Sequence, residues 1–194
     1  IRDRTGLQPA LGAGFGCGTI VGMDSALRPR RSVLFMPGAN ARALEKARSI
    51  DCDGIIIDLE DAVAPDLKVE ARERTAGVVR GHPYGYREVA IRVNGMDTQW
   101  YHDDLVAAVA AGPDAIAVPK VSSAEQVRAI VADMEAAGAD KSVKLWAMIE
   151  TPRAVLDCLD IAEASDRLTV LIMGTNDLTK ELRVRLTWLA APRW

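Results

Sequence analysis

The sequence predicts an α/β fold on a parallel sheet, and three observations predict it. Six short apolar runs are near-continuous, as in strands covered on both faces. Helix-like stretches separate them. The residues just beyond the runs, at positions 38, 60, 94, 120, 150 and 177, recur about thirty residues apart, the length of one βα unit. Two architectures fit these signals: an open sheet, or a closed barrel cut short. A complete eight-unit barrel needs about 250 residues, and this chain has 194.

The elements follow in order. Strands are expected at Ser32-Val-Leu-Phe-Met36, Gly54-Ile-Ile-Ile-Asp58, Glu88-Val-Ala-Ile-Arg92, Ala115-Ile-Ala-Val118, Lys144-Leu-Trp-Ala-Met-Ile149 and Leu168-Thr-Val-Leu-Ile-Met173. Helices are expected over Asn40–Arg48, Asp66–Val79 and Trp100–Ala110. Ser122-Ser-Ala-Glu125 reads as a capping box opening a helix to about Ala137. Thr151-Pro152 sets a hydroxyl at the N-cap and proline at the first helical position, opening a helix to about Ala164. Gly112 and Gly138 stand where C-terminal caps belong.

Composition narrows the function classes. The chain is 49% hydrophobic and 26% charged with a net charge of −3, which is globular composition without a basic field for phosphate backbones; no nucleic-acid partner is expected. No apolar stretch free of charge reaches spanning length, so no membrane partner is expected. Cys17, Cys52 and Cys158 are widely spaced and form no CxxC pair, which suits a reducing compartment; cytoplasm is the expectation. Residues 1–29 read as a leader, poorly structured or non-native. Gly12, Gly14, Gly16 and Gly18 do not complete a G-x-G-x-x-G fingerprint, and no strand precedes them.

In parallel α/β folds ligands meet the carboxyl ends of the strands. Those ends carry Pro37-Gly38, Asp58-Leu-Glu-Asp61, Arg92-Val-Asn-Gly95, Pro119-Lys120, Glu150-Thr151 and Gly174-Thr-Asn-Asp177. Glu150 and Asp177 lie one βα unit apart, so they project from adjacent strand ends into one cleft. Two carboxylates so placed repel unless a cation joins them, and an all-oxygen site with few protein ligands suits Mg²⁺. Arg92 offers a fixed cationic fork for a substrate carboxylate or a developing enolate oxygen. His82 and His102 do not cluster with the cysteines, so no zinc site is expected. Plainer roles exist for each residue. Asp58, Glu60 and Asp61 suit helix capping or pairing with a lysine, Asp177 suits a cap on the last helix, and Glu150 suits a buried ion pair with Arg92. Lys120 suits a structural role better than a Schiff base.

Together these motifs resemble the HpcH/HpaI aldolase/citrate lyase β-subunit family, from about Arg31 to Leu182. The resemblance rests on Ser32-Val-Leu-Phe-Met-Pro-Gly38, Asp58-Leu-Glu-Asp-Ala-Val63, Arg92-Val-Asn94, Val118-Pro-Lys-Val121, Ile149-Glu-Thr-Pro152 and Gly174-Thr-Asn-Asp-Leu178, six motifs in family order. It implies a TIM-type (β/α)8 barrel, here truncated to about six βα units over residues 30–183. It implies a Mg²⁺-dependent lyase that cleaves a 3-hydroxyacyl-CoA thioester, citryl-CoA or malyl-CoA, into acetyl-CoA and an oxo acid. By the same resemblance Glu150 and Asp177 hold the metal, and Arg92 and Glu150 are the catalytic, substrate-binding residues. Glu60 and Asp61 stand behind the metal waters, and Pro37-Gly38 lies beside the CoA moiety. A homo-oligomer, trimer or hexamer, is implied as well.

The segment Val184–Trp194 departs from the family pattern, where two further βα units follow. It reads as an atypical tail from a truncated or frameshifted frame, which leaves the activity of this exact chain open. First and last strand edges are then expected to lack partners. Three alternatives remain: a class II pyruvate/aldehyde aldolase without CoA, a non-catalytic β subunit that only binds, and an open-sheet dinucleotide or flavin protein.

Overall fold

A computed structural model describes residues 28–81 and 83–184. The expected leader up to residue 27, His82 and the tail from residue 185 lie outside the described residues. The elements are β1 (Val33–Pro37), α1 (Ala41–Ala47), β2 (Gly54–Asp58), a 3-10 turn (Pro65–Leu67) running into α2 (Lys68–Val79), and β3 (Glu88–Arg92). Then come α3 (Tyr101–Ala111), β4 (Ala115–Val118), α4 (Ala124–Ala136), β5 (Lys144–Ile149), α5 (Pro152–Leu156), α6 (Cys158–Ala162), β6 (Leu168–Met173) and α7 (Thr175–Glu181).

All five strand pairings are parallel, and the strand order is β1-β2-β3-β4-β5-β6. A doubly wound sheet would reverse direction at a switch point. Strictly sequential neighbours form instead the wall of a TIM-type barrel. Among the described residues β1 and β6 each pair on one side only.

The wall has two faces with a period of two. Outward residues Ile55, Ile57, Val89, Ile91, Ile116, Val118, Leu145 and Ile149 pack under the helices in the main core. Inward residues Ile56, Ala90, Ala115, Ala117 and Trp146 form a second cluster with Val170 and Ile172. Trp146 is paired in register with Ala117 on one side and Val170 on the other. Small neighbours thus make room for the one large ring that fills the barrel interior. In β2 to β5 burial on both faces explains why the strands read as unbroken apolar runs.

Helix starts follow the side-chain oxygens. Asn40 Oδ1 accepts from Ala43 N at 3.0 Å, and Thr151 Oγ1 accepts from Ala154 N at 3.1 Å. The capping box sits one residue later than expected. Ser123 Oγ accepts from Gln126 N at 3.3 Å, while Gln126 Oε1 accepts from Ser122 N at 2.7 Å. Gln126 thereby replaces Glu125 as the reciprocal partner. The helix expected from Thr151 to Ala164 is broken at Asp157, whose backbone (φ −94°, ψ 15°) leaves the helical region. Its carbonyl then accepts from Ile161 N, which starts α6 afresh. Gly112 (φ +68°) and Gly138 (φ +83°) do end their helices in the left-handed region. No helix among the described residues is long and apolar enough to cross a membrane.

Candidate functional site

Asp58 and Arg92 end β2 and β3 and face each other in register. Arg92 donates through Nε and Nη2 to both Asp58 oxygens, at 2.7 and 2.6 Å. Asp58 also accepts from Glu60 N (2.8 Å) and Ala62 N (3.0 Å), so the chain turns tightly around its carboxylate. Arg92 Nη1 lies 2.8 Å from Glu60 Oε2. That oxygen nonetheless has no well-directed hydrogen bond, so the contact is one of charge alone. The Phe35 ring, 5.2 Å from Arg92 Cζ, covers the guanidinium face. All three charged groups are buried. Burial pushes the Glu60 carboxyl above its ordinary pKa, and Arg92 and Lys120 pull it back. For Arg92 burial works against the charge more than any other single effect, but the Asp58 bonds and the charges of Asp58, Glu60 and Asp61 together outweigh it and the pKa is raised.

A second buried network stands behind this corner. Lys68 Nζ donates to the carbonyls of Leu59 and Glu60, each at 2.7 Å, and to Asn94 Oδ1 at 2.8 Å. Asn94 Nδ2 donates to Leu59 O and to Asp104 Oδ2, and Arg72 Nε donates to Asp104 Oδ1. Desolvation holds the Lys68 pKa below its ordinary value despite the surrounding carboxylates. The network ties α2 and α3 to the turn that carries Glu60 and Asp61.

Across the cleft the carboxylates have fewer partners. Glu150 Oε2 accepts the Lys120 N–H at 3.0 Å, and Lys120 Nζ reaches Glu60 Oε1 at 3.2 Å. Burial raises the Glu150 pKa against the Lys120 hydrogen bond, with Glu60 and Asp177 pushing the same way. A Cβ on Gly174 would overlap the Glu150 side chain, so only glycine fits there. Asp177 lies in the first turn of α7, half-buried, and caps nothing. Among the described residues neither Glu150 nor Asp177 enters an ion pair.

The two sides enclose a cleft of about 490 Å³, lined by Phe35, Asp58, Asp61, Arg92, Met148, Glu150, Asp177 and neighbours. Of the residues singled out in the sequence, it gathers Arg92, Glu150, Asp61 and Asp177. Glu60 is buried beside it against Arg92 and Lys120, and Asp61 is exposed. Glu150 is not the ion-pair partner of Arg92; that role belongs to Asp58 and Glu60, whose turn brings both carboxylates onto the guanidinium. Lys68 and Asp104 went unnoticed, since a buried lysine and a helix-start aspartate look like surface residues in sequence.

Among the described residues no three His, Cys, Asp or Glu side chains converge as a metal cluster. The donor set still fits Mg²⁺, which keeps most of its waters and takes one or two carboxylates. Glu150 and Asp177 would supply two, and the glycine at 174 leaves the Glu150 side chain its space.

Residues 31–187 match the family described as HpcH/HpaI aldolase/citrate lyase. A (3S)-malyl-CoA thioesterase of Cereibacter sphaeroides is 50% identical over 163 residues, covering 84% of this chain and 55% of that protein. Citrate lyase subunit beta of Escherichia coli is 35% identical, covering 80% and 53%. The chain thus spans about half the length of the curated relatives it matches. Among solved structures, a citrate lyase beta subunit from M. tuberculosis complexed with oxaloacetate and magnesium superposes with a TM-score of 0.66 at 27% identity. It covers 87% of this chain and 69% of that one.

Proposed function

The chain belongs to the HpcH/HpaI aldolase/citrate lyase family, and from that premise we propose that its cleft binds Mg²⁺ through Glu150 and Asp177 to cleave a 3-hydroxyacyl-CoA. The substrate is a malyl-CoA or citryl-CoA type thioester, and the products are acetyl-CoA and an oxo acid. The observation that carries this reading is the pair Glu150 and Asp177, without an ion-pair partner among the described residues, facing Arg92 across one cleft. When bound, Mg²⁺ supplies Lewis-acid polarisation of the oxo-acid oxygens. Arg92, fixed by Asp58 on one edge, keeps N–H groups for a substrate carboxylate or a developing enolate oxygen. Glu60 and Asp61 orient waters behind the metal. Met148 and Ile172 give the cleft an apolar wall. A cytoplasmic homo-oligomer, trimer or hexamer, belongs to the same reading.

Thioester hydrolysis is the second reading, favoured by the 50% identity to a thioesterase. Product analysis separates them. Purified protein is incubated with malyl-CoA or citryl-CoA, with Mg²⁺ or with EDTA. Acetyl-CoA plus an oxo acid supports the lyase, and free CoA plus the hydroxy acid supports the thioesterase. Cleavage of free hydroxy-oxo acids alone supports an aldolase. Folded protein with no Mg²⁺-dependent product overturns the enzymatic reading.

A further inference from the structure

Lys120 follows β4 in the left-handed region at φ +57°, where a residue with a Cβ is strained. Its N–H points toward β5 and donates to Glu150 Oε2 at 3.0 Å, while the left-handed φ sets the course of the chain beyond it. A second link lies two residues on: Ser122 Oγ is 3.0 Å from Thr151 Oγ1 and donates to Lys120 O at 3.2 Å. The loop after β4 is thus clipped to the loop after β5 at two consecutive positions, Glu150 and Thr151. A glycine would adopt this backbone without strain. Lysine stands here with its Nζ reaching Glu60 Oε1, so one residue touches carboxylates on both sides of the cleft.

We infer that Lys120 is a positioning residue whose left-handed main chain, and not its ammonium, holds the Glu150 carboxylate in the orientation a ligand meets. The consequence for ligand binding rests on the reading of Glu150 as a cation ligand; the hydrogen bond itself is observable without metal. Lys120→Gly and Lys120→Val both lose the ammonium. Only glycine enters the left-handed region freely, whereas a β-branched residue resists it. Two readouts are taken on the full chain: the residue-120 amide proton shift, with Glu150→Gln as reference, and the Mn²⁺ Kd by calorimetry.

In the wild type and in Lys120→Gly the amide is downfield, and it moves upfield in Glu150→Gln and in Lys120→Val. The Mn²⁺ Kd stays within about threefold of wild type for Gly and rises about tenfold or more for Val, the scale of lost support behind a metal ligand. Should Val not fold, Lys120→Ala takes its place with the amide shift and Kd unchanged from wild type. Equal losses of affinity in Gly and Val, or in Gly and Ala, assign the effect to the ammonium and overturn the inference. So does a residue-120 amide that ignores Glu150→Gln. A wild type that shows the amide signature but binds no Mn²⁺ overturns the cation reading alone and leaves the positioning role standing.

Discussion

The two halves of the cleft are built on opposite electrostatic plans. On the β2–β3 side the buried Asp58 and Glu60 carboxylates meet Arg92, with Lys120 as a second cation on Glu60, and Lys68, Asn94 and Asp104 fix the turn behind them. On the β5–β6 side Glu150 and Asp177 enter no ion pair among the described residues, and burial already raises the Glu150 pKa. The first half carries its own counter-charges and is a finished piece of the fold. The second is short of positive charge, which is what the proposed cation site requires.

Removing the positive charge from the finished half has the largest expected effect. Arg92→Met leaves Asp58 buried without its ion pair and Glu60 with Lys120 alone, a loss of about 3–5 kcal/mol of stability measurable by urea unfolding. A loss under 1 kcal/mol would mean that the backbone N–H bonds to Asp58 suffice. Next comes Gly174→Ala. Its Cβ displaces the Glu150 side chain, so divalent-cation affinity falls about tenfold or more while the melting temperature drops by only a few degrees. Unchanged affinity would remove Glu150 from the cation site. Glu150→Gln follows, with the opposite sign to Arg92→Met: without metal its stability stays within about 1 kcal/mol of wild type or rises, because a buried charge with no ion-pair partner among the described residues is gone while the amide oxygen still accepts the Lys120 N–H. A large loss in metal-free buffer would show that the carboxylate is already compensated.

The strands were legible in this sequence almost to the residue. From β2 to β6 the apolar runs match the observed bounds; in β2 to β5 residues buried on both faces leave little to blur a boundary, whereas β6 keeps its apolar run although partly exposed. β1 shifts by one residue, at an edge where Phe35 stays 43% exposed and the pattern is weaker. The break at Asp157 was not legible, since a continuous helix and two short ones share the same apolar spacing. Glu150 and Asp177 were found by their place beyond consecutive strands, and the cleft does gather them with Arg92. The partner of Arg92 was missed. Sequence spacing shows which strand end a residue occupies, but not which neighbouring carboxylate the turn folds onto it. Lys68 was missed for a related reason: its three acceptors are two carbonyls and an amide, which leave no signature in residue type.

The smallest effect lies at the β1 edge, away from both halves. Arg31 holds the Asp53 pKa down at about 2, helped by the backbone N–H groups of Arg31 and Ser32. An unfolded aspartate titrates near 3.9, so this contribution is complete above about pH 4 and fades as pH falls through about 2. Asp53→Asn should flatten that part of the acid limb in a melting-temperature profile from pH 5 to 2. An unaltered limb would assign the acid sensitivity to other carboxylates.

The contrast between the halves is tested most directly by titration calorimetry with Mg²⁺, in the presence of oxaloacetate or glyoxylate. The proteins compared are the wild type, Asp177→Ala and Asp61→Asn. One saturable site, abolished in Asp177→Ala and retained in Asp61→Asn, is the predicted result. Binding that survives Asp177→Ala, or a folded wild type that binds no Mg²⁺, would contradict the assignment of the β5–β6 half as the cation site.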